Sequence, residues 1–165
     1  MEVNNKKIGK RAESLGSKVN FDKGLLLKSI IEFDSTNENN EGMAQNHLIS
    51  LSTGETTLLT ESRKNEMLKE IEWTPIYSEV DKFTKLNGEV ITYVRLYQLS
   101  HEEETEEYKQ MVRLGDIPLA ASYCFHEKDG DLTVCEDDSY EAQLVKAIHK
   151  EFCLKAKKRQ KQLVG

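Results

Sequence analysis

The sequence predicts an α+β fold: a mainly antiparallel sheet with two or three helices packed on one face, and a long C-terminal helix. Three observations lead there. Stretches in which apolar residues alternate with polar ones recur, as in residues 25–33 and 90–99. The turn dipeptides Asn87-Gly88 and Asp129-Gly130 stand between such stretches. Three longer stretches, 61–73, 100–114 and 139–158, carry apolar residues at helical spacing behind capping residues.

In chain order, residues 1–23 show no sustained periodicity and read as a flexible basic arm. Leu25, Leu27, Ile31 and Phe33 alternate with Leu26, Lys28, Ile30 and Glu32, the period of a strand with one face on a core. Residues 34–46 are turn and loop chemistry throughout. Two short strands, 47–52 and 55–60, flank Thr53-Gly54, and Thr60 then caps a helix over 61–73 that buries Met67, Leu68 and Ile71. Residues 74–86 fit a helix opened by Thr74-Pro75 or a strand. The strand is preferred, because Asn87-Gly88 then joins it by a type I′ turn to residues 90–99, the strongest central-strand signal in the chain.

Ser100 and Glu103 form a capping box for a helix over 100–114, with acids crowding its first turns and Tyr108, Met111 and Val112 on its buried face. A two-residue turn at Asp129-Gly130 sets the register of a hairpin over 120–136, in which Phe125 faces Val134 and Cys124 faces Cys135. Alternation then sends Tyr123, Phe125, Leu132 and Val134 to one face, and Ser122, Cys124, His126, Thr133 and Cys135 to the other. In the final helix Tyr140, Leu144, Ile148, Phe152 and Ala156 recur at i+4 and are read as the buried stripe, with Val145, His149 and Cys153 in the row beside it. The expected organisation is an arm (1–23), a single α+β domain (24–153) and a basic helical tail (154–165).

A chain of 165 residues suits one core, and its 38% apolar and 32% charged residues imply a modest core under a highly charged surface. The net charge of −6 is uneven. Residues 1–23 carry six basic groups against three acids, and residues 154–165 carry Lys155, Lys157, Lys158, Arg159 and Lys161 with no acid. The remainder is therefore strongly acidic. Such a body repels phosphate, which confines any nucleic-acid contact to the basic ends, above all those five tail residues. No apolar run has membrane-crossing length and no signal segment opens the chain, so a cytoplasmic protein without membrane contact is expected. The Lys-, Glu- and Asn-rich composition suggests a bacterial or phage origin.

Two constellations are candidates for chemistry. If the last helix lies on the sulfur-bearing face of the hairpin, Cys124, Cys135, His149 and Cys153 can converge as a Cys3His zinc site, with His149 and Cys153 supplied as an i, i+4 pair. The default reading is buried, inert thiols without cofactor, with zinc as the minor possibility. The second is a ligand site built by Arg95, Tyr93 and Tyr97 on the central strand. The segment Leu114-Gly115-Asp116-Ile117-Pro118-Leu119 resembles an L-G-x-x-P-L segment of chorismate lyases, and residues 92–99 stand where that α+β family carries an arginine-bearing strand. The resemblance implies carboxylate binding by Arg95. The chain departs from the family in lacking room for the intervening strand, and in ending on a helix where the family has a strand with its catalytic glutamate. No GxGxxG, Walker A, HExxH, GxSxG or CxxC pattern is present, and no residue is assigned a catalytic role.

The expected function is that of a small non-catalytic binding or regulatory protein, monomer or homodimer, acting through protein–protein contacts on an acidic surface. The alternatives are a small-molecule-binding or lyase-type enzyme with a cavity between sheet and helices, and a nucleic-acid-binding module using its basic ends.

Overall fold

The computed structural model describes residues 3–4, 10–34, 43–99 and 105–164, and the side chains of 16–29, 45–99 and 105–162. The elements are β1 (Val3–Asn4), β2 (Lys10–Asn20), β3 (Leu25–Asp34), β4 (Met43–Ser50), β5 (Thr56–Leu59), α1 (Glu61–Glu70), β6 (Thr74–Lys85), β7 (Val90–Tyr97), α2 (Glu106–Arg113), β8 (Leu119–Lys128), β9 (Asp131–Val134) and α3 (Tyr140–Val164). The strands form one sheet in the order β5-β4-β3-β2-β6-β7-β8-β9, with β1 paired to β6 and every pairing antiparallel. Two meanders, β2 to β5 and β6 to β9, are joined where Ser17, Lys18 and Val19 pair with Ile76, Pro75 and Thr74.

Residues 10–20, expected within the flexible arm, are thus a strand inside the sheet. The apolar pattern does not announce β2, because what orders it is backbone pairing, with β3 along its length and with β6 at its C-terminal end. Residues 74–85 take the strand alternative. Their turn is not type I′: Gly88 alone is left-handed (φ 90°) and its N–H donates to Lys85 O at 3.0 Å, which makes a three-residue loop. At the second hairpin both Asp129 (φ 54°) and Gly130 (φ 83°) are left-handed, and Lys128 pairs with Asp131 in the expected register.

The sheet has two unlike faces. On one, Val19, Leu26, Ile49, Leu51, Ile76, Val94, Leu96 and Phe125 make a single cluster, with Tyr123 and Leu132 at its border. Because this cluster draws on both meanders, the sheet bends over itself. The bend brings Gly54, in the turn after β4, so close to Phe125 that a Cβ at Gly54 would lie 2.5 Å from the ring's Cγ.

The opposite face carries the helices. Ala142 and Val145 of α3 pack on Phe83, Ile91, Tyr93 and Cys124, while Tyr108 and Val112 of α2 pack on Tyr77 and Tyr97. On the same side, Asn46 Nδ2 donates to Glu61 Oε1 at 3.0 Å and fastens the start of α1. Capping hydroxyls fix the helix starts: Thr60 accepts from Arg63 N, Thr105 from Tyr108 N and Ser139 from Ala142 N. The Ser100/Glu103 capping box lies outside the described residues, as does most of the 34–46 loop. In α3 the buried row runs through Ala142 and Val145, not through Tyr140 and Phe152, which are 55% and 52% exposed. No helix among the described residues is long and apolar enough to cross a membrane.

Candidate functional site

Alternation along β7 places Ile91, Tyr93, Arg95 and Tyr97 on the helix-covered face, and the register with β6 sets Glu79 directly opposite Arg95. Arg95 is only 4% exposed. Its Nη2 lies 2.7 Å from Asp81 Oδ2 and 3.0 Å from Glu79 Oε1, and its Nε donates to Tyr97 Oη at 3.1 Å. The guanidinium also stands over the Tyr93 ring, 5.1 Å from its centroid. Nη1 is buried without a hydrogen-bond partner among the described residues. The three residues singled out in the sequence therefore do meet, joined by the two carboxylates that the sequence reading missed.

The electrostatics follow from this packing. Burial alone would lower the Arg95 pKa, but Asp81 and Glu79 outweigh it and raise it further. Tyr97 is pushed up to about 12, chiefly by burial, with Arg95 acting in the opposite sense. His149 of α3 covers the cluster, its ring edge-on to Tyr93 at 6.3 Å and its Nε2 3.5 Å from Tyr97 Oη and 3.6 Å from Cys153 Sγ. Burial, assisted by Arg95, lowers the His149 pKa, and burial raises that of Cys153. A neutral imidazole beside a protonated thiol is not an activated nucleophile. Two carboxylates per guanidinium leave the cluster net negative, so an incoming acid would meet Glu79 and Asp81 before Arg95. Chemically, the cluster is an internal tie between β6, β7 and α3.

The proposed zinc ligands share the face covered by α3, but as two pairs. Cys124 and Cys135 meet across the hairpin, where Cys135 N donates to Cys124 O at 2.9 Å, and burial raises both thiols. His149 and Cys153 meet one to two turns further along α3, beside Tyr93 and Tyr97. Among the described residues no group of three or more His, Cys, Asp or Glu is placed to hold a metal ion.

The two ends of α3 differ sharply. Near its start, Lys85 Nζ lies 2.9 Å from Glu89 Oε2 and 3.6 Å from Glu141 Oε1, and His126 Nε2 lies 3.1 Å from the same Glu89 oxygen. Lys85, with help from His126 and Asn87, lowers the Glu89 pKa to about 2 against the desolvation that opposes it. Beside this network the two hairpin turns bound a hollow of about 310 Å³ lined by Asn87, Gly88, Glu89, Val90, Glu127, Asp129 and Gly130. The acids Glu127, Asp129, Asp131, Glu136, Asp137 and Asp138 are all exposed at this end. The only sign of it in the sequence is acid density around a turn dipeptide. At the other end, Lys155, Lys157, Lys158, Arg159 and Lys161 are exposed on α3, with Lys157 Nζ 3.2 Å from Asp116 Oδ1.

No family model, curated protein or solved structure matches this chain. The resemblance carried by residues 114–119 and 92–99 therefore stands without a second line of support, and Arg95 is engaged here by Glu79 and Asp81.

Proposed function

We propose that this is a non-catalytic binding protein that works by protein–protein contacts through the acidic end of the sheet. One observation carries the reading. Six acids between residues 127 and 138 are exposed, and so are three apolar side chains on neighbouring elements, Leu86 (77%) after β6, Val134 (50%) at the end of β9 and Tyr140 (55%) at the start of α3. Exposed apolar groups rimmed by charge are the pattern of a contact surface, in which the apolar groups supply affinity and the charges orientation and rate. The engagement of Arg95 within the fold supports the same reading, since that residue would anchor a small acid in the enzymatic alternative.

The test is affinity capture from cells of the source organism with two baits, wild type and E136K/D137K/D138K. A partner retained in stoichiometric amount by wild type at low salt, and lost with the charge-reversed bait, is the expected result. Identical capture by both baits would overturn the assignment of the surface.

A further inference from the structure

The acidic end has a counterpart on the same molecule. Beyond Ala156 every described side chain of α3, residues 157–162, is exposed, so the helix runs past the body as a free tip. Residues 154–165 carry five basic groups and no acid, whereas residues 127–138 carry six acids and one lysine. The apolar content is matched as well. Phe152 and Leu154, each 52% exposed, precede the basic tip on α3, and Val134 and Tyr140, 50% and 55% exposed, flank the acids 136–138 in the chain.

These two surfaces cannot meet within one chain. They lie at opposite ends of a rigid helix, and at 1.5 Å per residue Glu141 and Lys161 are about 30 Å apart. That separation is several times the roughly 8 Å over which charges act in physiological salt. Among the described residues, Lys157 is the one tip base with a carboxylate partner in the fold, Asp116. A second copy supplies what the first cannot reach: its acidic end offers charge of opposite sign and similar number, together with exposed apolar groups.

We propose that copies of this chain associate head to tail, the basic tip of α3 from one copy seated on the acidic end of the next, between the two hairpin turns and the start of α3. The contact joins different surfaces of the two copies, so it is heterologous and each dimer keeps one free tip and one free acidic end. Association therefore continues into short oligomers, or into a ring if the rotation closes. This inference rests on the acidic end being a contact surface and names its partner as a second copy.

The experiment is sedimentation velocity on the full chain over a concentration series, at about 50 mM and at about 500 mM salt, a range that shortens the screening length roughly threefold. At low salt and high concentration the mass should rise to about twice 18.9 kDa or more, and at high salt it should return to the monomer value. Two charge-reversed variants complete the test: K158E/R159E/K161E at the tip and E136K/D137K/D138K at the acidic end. Each alone should remain monomeric, and an equimolar mixture should associate, because both reversed surfaces then find opposite charge. Tip residues 158–161 are exposed and Lys157 is left untouched, so folding, checked by circular dichroism, is expected to be unchanged. A wild type that stays at the monomer mass throughout overturns the proposal, as does association that survives in the tip variant alone. Either result leaves the capture experiment with the acidic-end bait to judge the protein-binding reading separately.

Discussion

Arg95 Nη2 lies 2.7 Å from Asp81 Oδ2, linking the central strand β7 to β6 beneath α3. The guanidinium is buried, while its two carboxylate partners, Glu79 and Asp81, remain about a quarter exposed. Removing the cation leaves two like charges side by side under a helix. Arg95→Met should cost about 3 kcal/mol, the lower end of the range for breaking a buried pair, since both carboxylates keep partial access to water. Urea denaturation followed by circular dichroism reads this as a lowered midpoint at unchanged slope. A loss under about 1 kcal/mol would mean that Arg95 is not the tie described here.

Glu89 contributes a pH dependence of defined sign. Lys85 holds the folded pKa of Glu89 at about 2, below the ordinary carboxylate value, so its stabilisation is full above the unfolded value and is lost as pH falls toward 2. Chemical denaturation between pH 6 and pH 2 should show the wild-type midpoint falling more steeply than that of Glu89→Gln. The two curves should converge at the acid end.

His149 acts in a higher window. Burial lowers its folded pKa, so the unfolded chain takes up a proton first as pH drops below 6.5, and stability falls there. His149→Gln should flatten the stability profile between pH 7 and pH 5. An unchanged slope in that interval would place the imidazole in water.

The rotation of α3 is tested by truncations on its two rows. Val145 is fully buried, and Val145→Ala should cost about 2 kcal/mol through lost burial and a residual cavity. Tyr140→Ala and Phe152→Ala remove more atoms from exposed positions, and each should change monomer stability by about 0.5 kcal/mol or less. The opposite ranking in thermal or urea denaturation would put the Tyr140 row against the sheet.

Gly54 marks a close approach of the two meanders across their shared core. It is left-handed (φ 85°), and an added Cβ would collide with the Phe125 ring. Gly54→Ala should therefore destabilise by about 2 kcal/mol or more, combining backbone strain with overpacking. Gly88→Ala, also left-handed (φ 90°) but with no atom within 4 Å of its added Cβ, should cost less; equal losses would exclude the contact with Phe125 as the cause.

Where a feature depends on neighbours in sequence, the chain announces it. The Asp129-Gly130 turn fixes the pairing of Phe125 with Val134 and sends Cys124 and Cys135 to the face that α3 covers. Tyr93, Arg95 and Tyr97 share a face because residues two apart on a strand must. Glu79 and Asp81 were not legible as partners of Arg95, because their meeting depends on the register across a loop whose length the Asn87-Gly88 dipeptide does not specify.

By itself, then, the sequence determined the local elements: the strand periods, the second hairpin's register, the caps that open α1 and α3, and the contrast between basic ends and an acidic body. Tertiary structure alone decided that residues 10–20 join the sheet, that the meanders fold over a shared core at Phe125 and Gly54, and that α3 turns Val145 inward and Phe152 outward. The reason is physical. Period and turn chemistry act between residues a few positions apart, whereas strand order, helix rotation and the pairing of Arg95 with Asp81 depend on surfaces brought together from distant parts of the chain.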